Sequence, residues 1–260
     1  MEGQPRARSV LLLLPIIFAS FFAVAMLWEG VAPVLFPALQ HNERMMALLS
    51  FYPVELIGIL GPVLVWSYFS KLDRRKVYPF RPVRALRLLA IFGATVGLGL
   101  VITYLQAWFT RFTGLTYPSS ISDMIRAHQP LDWVVLITGV AMIPAFAEEL
   151  VTRGYIQSAL VPKFGLWGGI LLTAFIFALL HLTPSGIPTY VALGLWLSWI
   201  RERTRSLWGN MLAHSTNNVI AILQANFVPE AFWKANMPWC FPLGLLSFAV
   251  LGWVSLRNQD

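Results

Sequence analysis

The stretch LDWVVLITGVAMIPAFAEELVTRGYIQSALVP, residues 131–162, decides how this chain folds. Its few ionisable residues are Asp132 near one end and the group Glu148, Glu149 and Arg153 past the middle. A helix needs about 20 mostly apolar residues to cross a bilayer, so this run spans with turns to spare. Working outward, seven further runs of the same character cover residues 9–28, 45–69, 85–109, 165–182, 186–200, 206–223 and 237–253. The expected fold is all-α: a polytopic transmembrane helical bundle of about eight spans.

Composition supports that expectation. Of 260 residues, 57% are hydrophobic and 12% charged, and the mean hydropathy is +0.66. Soluble domains carry about 25% charged residues, so an ordinary water-soluble enzyme is excluded. Disorder is excluded too, because it needs low hydrophobicity. The net charge of +7 does not point to nucleic acid, since the basic residues sit between apolar runs, where the positive-inside rule expects them. Cys240 is the only cysteine; it allows no intramolecular disulfide and reads as a packing residue.

No internal repeat is visible, and Leu11–Leu14 is the only low-complexity run. The expected organisation is three N-terminal spans in residues 1–130, a polar-bearing core in 131–223, and a C-terminal loop and span in 224–260. Residues 110–130 form the longest connection and read as a surface loop. Ten of the eleven tryptophans, from Trp28 to Trp253, fall near span ends, where amphipathic rings favour the headgroup layer. With eight spans and both termini inside, Arg44, Arg111, Arg126 and Lys234 lie outside and the other 15 of the 19 Lys and Arg lie inside. That asymmetry places both termini in the cytoplasm, in a bacterial-type cytoplasmic membrane. The first run resembles a signal peptide, with Arg6 and Arg8 ahead of it. It exceeds the 7–15 residues of a signal h-region, so it is expected to stay as an anchor.

Charged groups in a bilayer are expensive and ask for a partner and often a function. Four clusters qualify. In Glu148–Arg153, Glu149 and Arg153 stand four apart on one helix face with the acid N-terminal, the better order for a pair. Glu148 points about 100° away, off the face that Arg153 serves. A carboxyl in apolar surroundings suits a group that takes up and returns a proton; a structural ion pair with a spare acid fits the same pattern. Phe177 and His181 share a face near the end of the fifth run, where a lone histidine is more often a packing residue. His214 and Asn218 share a face in the seventh, and such residues also glue helices together. Glu55, after Pro53, reads as a helix-contact residue.

Heights along the helices test whether three of these clusters meet. Lys163, Phe164 and Gly165 look like a hairpin turn. Glu148 is then about 22 Å up one arm and His181 about 27 Å up the other, at 1.5 Å per residue. His214 and Asn218 stand about 14 and 20 Å beyond Arg205. The fourth helix is expected to stay upright, kinked where Pro144 meets the carbonyl of Val140, with Arg153 inside the bundle. One acid, two imidazoles and an amide are thereby expected to line one buried pocket.

EELVTR at 148–153, FALLH at 177–181 and HSTNN at 214–218 resemble, in order, the EExxxR, FxxxH and HxxxN signatures of the CPBP family. That family comprises type II CAAX prenyl proteases and Abi-type or bacteriocin-processing intramembrane proteases. The resemblance covers residues 131–223; Thr152 departs from it, because many members carry an aromatic before the arginine. By resemblance, Glu148 is the general base assisted by His181, His214 and Asn218 stabilise the oxyanion, and Glu149 with Arg153 braces the helix. The implied enzyme is an intramembrane glutamic endopeptidase without a cofactor, acting on a membrane-associated peptide or protein. Nothing in the sequence reads a CAAX box; a pheromone or bacteriocin precursor and a C-terminal membrane anchor fit equally.

Two rivals stand beside it. Glu148, His181 and His214 would make a three-ligand open zinc site, although HExxH is absent. A non-enzymatic transporter or immunity protein is the other, although transporters often show paired broken helices in two repeats.

Overall fold

Backbone polar groups in lipid must be satisfied within their own segment, and helix is the only regular structure among the described residues of the computed structural model, which are 3–116 and 118–257. The side chain of Lys234, counted above among the outer charges, lies outside that description. In chain order the long helices are α1 (Ala7–Leu35), α2 (Glu43–Phe69) and α3 (Ala85–Thr113), then the stretch Pro130–Leu180. That stretch breaks at Gly165 into α4 (130–164) and α5 (166–180). After it come α6 (Ile187–Thr204), α7 (Trp208–Phe227) and α8 (Glu230–Leu256). Within the surface connection read at 110–130, α3 continues to Thr113 and a short helix forms at Ser119–Met124.

Five stretches are long and apolar enough to cross a membrane: α1, α2, α3, Pro130–Leu180 and Ala235–Leu256 of α8. The chain is therefore an integral membrane protein built of helices. α6 and α7 stand outside that set; Arg201, Glu202 and Arg203 end one, and His214, Asn217 and Asn218 interrupt the other.

The turn expected at residues 163–165 is present. Gly165 sits at φ 74° and ψ 173°, a region only glycine enters cheaply. A Cβ on Gly169 would lie 2.6 Å from the Cα of Val161. In a straight helix those positions would be about 12 Å apart, so the chain has doubled back. Pro144 has its effect one turn early: residues Leu136–Met142 form a π-helical turn, and α-helix resumes at Ile143.

The described residues cluster into two compact units. One holds residues up to Pro79 together with Ala127–Gly169, the other Phe80–Arg126 with the residues from Ile170 onward. In the first, α1 packs on the middle of α2, where a Cβ on Gly58 would stand 3.1 Å from the Cα of Phe21. Arg44 reaches Asp132 at 2.9 Å, and the Tyr155 hydroxyl donates to Ser9 Oγ at 2.7 Å. Gly154 leaves room for the Tyr78 ring, which would stand 2.7 Å from a Cβ there. In the connection after α2, Tyr78 shares a 2.7 Å hydrogen bond with Ser67, and burial pushes its phenol up to about 12.

In the second unit α3 and α8 meet backbone to backbone. A Cβ on Gly97 would stand 2.7 Å from the Gly244 carbonyl oxygen, and one on Gly244 equally close to that of Gly97. Small residues permit such approach where lipid offers no hydrophobic drive. Arg203 donates twice to the Leu256 carbonyl, at 3.1 and 2.8 Å, and cations suit a helix C-terminus. Trp196 departs from the interfacial placing expected of the tryptophans. It is 4% exposed within the core of Ile91, Leu98, Phe177 and Leu197, and its indole N–H donates to Thr95 Oγ1 at 3.0 Å. That partner is what allows a tryptophan to be buried whole.

Candidate active site

Glu148 and Glu149 end an α-helical segment of α4, Ile143–Glu149, and Arg153 lies in the π-helical turn Leu150–Ile156 that follows. The Arg153 guanidinium donates from Nη1 to Glu149 Oε1 at 2.8 Å, and both side chains are fully buried. The expected pair is present and inside the protein. Nη1 also reaches Thr152 Oγ1 at 2.8 Å, and that hydroxyl donates to the Glu148 carbonyl at 2.6 Å. Thr152, the residue that departs from the family pattern, thus ties the guanidinium to the backbone of Glu148.

Arg153 feels the charge of Glu148 as well as that of Glu149. Helical spacing of 100° per residue separates the first two, but a π turn closes its bonds i→i+5 and brings Arg153 round toward Glu148. Glu148 itself is half-buried. The segment it ends packs against Val54–Ile59, a π-helical turn in α2. Glu55 lies on that turn, 5% exposed and acted on by the charge of Glu148. The contact role read from sequence for Glu55 therefore has a named counterpart.

In the second unit, His181 follows the last residue of α5, and Leu182 takes a left-handed φ of 51°. Thr183 Oγ1 donates to the His181 carbonyl at 3.0 Å. Gln106 on α3 steadies the connection, donating to the Ser185 carbonyl and accepting from Thr189, both at 2.9 Å. The His181 ring stands with Nδ1 2.8 Å from the Phe177 carbonyl. A carbonyl only accepts, so Nδ1 carries the proton and Nε2 of the neutral ring holds the lone pair. Tyr190 of α6 stacks on the imidazole at 3.7 Å between centroids.

Phe177 is the post between the two histidines. Its ring meets His181 edge-on at 4.7 Å and His214 at 5.6 Å. His214 is 2% exposed on α7, and Asn218 is half-buried one turn further along the same face. The Asn217 amide donates to Asn218 Oδ1 at 3.4 Å, which turns the Asn218 NH₂ toward other acceptors. The structure thus brings His181 and His214 together in one unit, with Asn218 next to His214. It brings Glu148, Glu149, Arg153 and Glu55 together in the other. Tyr190 went unread in the sequence, because aromatic residues in an apolar helix look like ordinary packing. Among the described residues, no three His, Cys, Asp or Glu side chains are grouped so as to hold a metal ion.

Residues 130–220 match the family model of type II CAAX prenyl endopeptidases, Rce1-like. The segment belongs to the CPBP/CAAX protease family. Comparison with curated proteins and with solved structures returns no match. The CAAX-protease segment runs from the first turn of α4 into α7 and contains Glu148, Arg153, His181, His214 and Asn218. With five apolar stretches around and within it, the match indicates a membrane-embedded protease, a hydrolase whose substrate is membrane-associated.

Proposed function

We propose that the protein is a glutamic intramembrane endopeptidase that hydrolyses a peptide bond in a membrane-associated protein or peptide. The observation that carries this is the family match over residues 130–220, which takes in all three polar motifs in order. In this reading Glu148 removes a proton from a water that accepts a hydrogen bond from neither imidazole but donates its second one to Nε2 of His181. The resulting hydroxide attacks the substrate carbonyl. His214 and the Asn218 NH₂ donate to the oxyanion, and Glu148 then delivers its proton to the departing nitrogen. Positioned general bases contribute about 10²–10⁴-fold, and donors aimed at a developing oxyanion act most strongly where water is excluded.

Several features support these roles. The His181 tautomer is fixed by the Phe177 carbonyl, the Asn218 oxygen is occupied by its neighbour, and the buried Glu149–Arg153 pair anchors the helix that carries Glu148. The basic residues place both termini in the cytoplasm, and the membrane is of the bacterial cytoplasmic type.

The test compares membrane peptides in cells making the wild type or Glu148→Gln, followed by cleavage of an enriched peptide by purified protein. The expected result is fragments that vanish with Glu148→Gln while the variant still folds and inserts. Wild-type cleavage by purified Glu148→Gln would remove Glu148 as the base.

A further inference from the structure

Glu55 has no role in the mechanism above, and its surroundings ask for one. It lies on the π turn Val54–Ile59, 5% exposed, and its Oε2 finds no hydrogen-bond partner among the described residues. A buried carboxyl oxygen left so is costly unless it carries a proton or meets a donor. π turns recur at functional sites because they re-aim a side chain against the helical repeat.

The neighbourhood is acidic on the side that matters. The turn packs against α1, the flanking parts of α2 and the Ile143–Glu149 segment of α4. The charged residues on those elements are Arg8 and Glu29 of α1, Glu43 and Arg44 of α2, and Glu148 and Glu149 of α4. Arg44 is held by Asp132 and Glu149 by Arg153. Glu148 is the one whose charge acts on Glu55.

Two carboxylates in one apolar site are not both tolerated as anions; such a pair keeps one proton. The asymmetry between them says which keeps it. Glu148 is half-buried and under the field of Arg153, whereas Glu55 is nearly sealed off.

We infer that Glu55 is a positioning residue for the proposed hydrolysis, retaining its proton and offering its O–H, directly or through one water, to the carboxylate of Glu148. This rests on the reading of Glu148 as the base. The proton on Glu55 is not consumed: Glu148 takes its proton from the attacking water and gives it to the leaving nitrogen, and Glu55 ends the turnover as it began. What Glu55 supplies is a fixed orientation and a single negative charge for the pair.

Two variants of the full-length protein in membranes test this. Glu55→Gln keeps an N–H donor at the same place and cannot ionise. Glu55→Leu keeps bulk and removes the donor. Using the peptide cleaved by wild type, Glu55→Leu is expected to lower kcat at least tenfold with KM unchanged. Glu55→Gln is expected to stay within about threefold of wild type near neutral pH, with activity extended to higher pH because no second carboxyl can ionise beside the base. A structural filler would lower folded yield without moving the pH profile.

Wild-type kcat in Glu55→Leu, equal losses in both variants, or a Glu55→Gln profile superimposed on wild type would each overturn the inference. Glu148→Gln run alongside separates the two claims. If it is inactive while Glu55→Leu is normal, only the role of Glu55 falls; if it is active, the base assignment itself falls.

Discussion

The Arg153 guanidinium and the Glu149 carboxylate meet at 2.8 Å with neither side chain exposed. Removing one partner of such a pair leaves a buried charge with nothing to balance it, at about 3–5 kcal/mol. Arg153→Ala should therefore fold poorly, read as a large fall in detergent-resistant folded yield and in Tm. Thr152→Val, which deprives the guanidinium of its second contact, should cost about 1–3 kcal/mol and leave folded protein to measure. A fully stable Arg153→Ala would mean the pair contributes nothing to the fold.

Loss of an oxyanion donor has a kinetic signature distinct from loss of fold. Asn218→Ala is expected to lower kcat by about 10²–10³-fold with little change in KM, since the donor acts on charge that exists only in the transition state. Steady-state cleavage of the same peptide measures both constants. A change confined to KM would make Asn218 a substrate-binding residue instead.

Metal dependence separates the glutamic mechanism from its zinc rival. Chelators should leave cleavage intact, and purified active protein should lack stoichiometric zinc. Activity lost to chelator and restored by one equivalent of zinc would reassign Glu148, His181 and His214 as ligands.

Much of this was legible in residue order. Apolar runs placed the helices, and Lys163–Phe164–Gly165 placed the turn, because glycine between two apolar runs has few other uses. The Glu149–Arg153 pair followed from four-residue spacing. What hydropathy does not encode is a change of helical pitch. The π turns at Val54–Ile59 and Leu150–Ile156 rotate Glu55 and Arg153 away from the positions an α-helical wheel assigns. Hence the link of both to Glu148 could not be read beforehand. Trp196 shows a second blind spot: an indole near a span end is placed in the core by Thr95, a residue 101 positions away.

Tyr78 makes an alkaline prediction. Its phenol is raised to about 12 by burial, partly opposed by the Ser67 hydrogen bond. A raised folded value means the neutral form is favoured on folding, so this contribution is whole below about pH 10, the unfolded value, and is lost as pH rises through about 12. Tyrosinate absorbance of wild type minus Tyr78→Phe should show one phenol titrating near the top of that window. Titration of that phenol near 10 would mean the ring is open to solvent.

Topology can be read with single cysteines in a Cys240→Ser background. Ser185 is buried, so Ser119, exposed in the connection after α3, is the better reporter. With an impermeant thiol reagent on intact cells, Ser119→Cys should label and Lys163→Cys should not. The reverse pattern would invert the orientation drawn from the basic residues.

The glycine contact between α3 and α8 has a consequence for synthesis. Gly97 leaves the ribosome long before Gly244, and the stretch between them includes Ala127–Gly169, which completes the other unit. α3 therefore enters the membrane with a notch cut to fit a helix that has not yet been made. Until α8 arrives, that notch is filled by lipid chains, which must be expelled when the two backbones close. The last helix is thus the latch of its unit, and a nascent chain halted before Gly244 would carry its motif residues in a half that cannot shut.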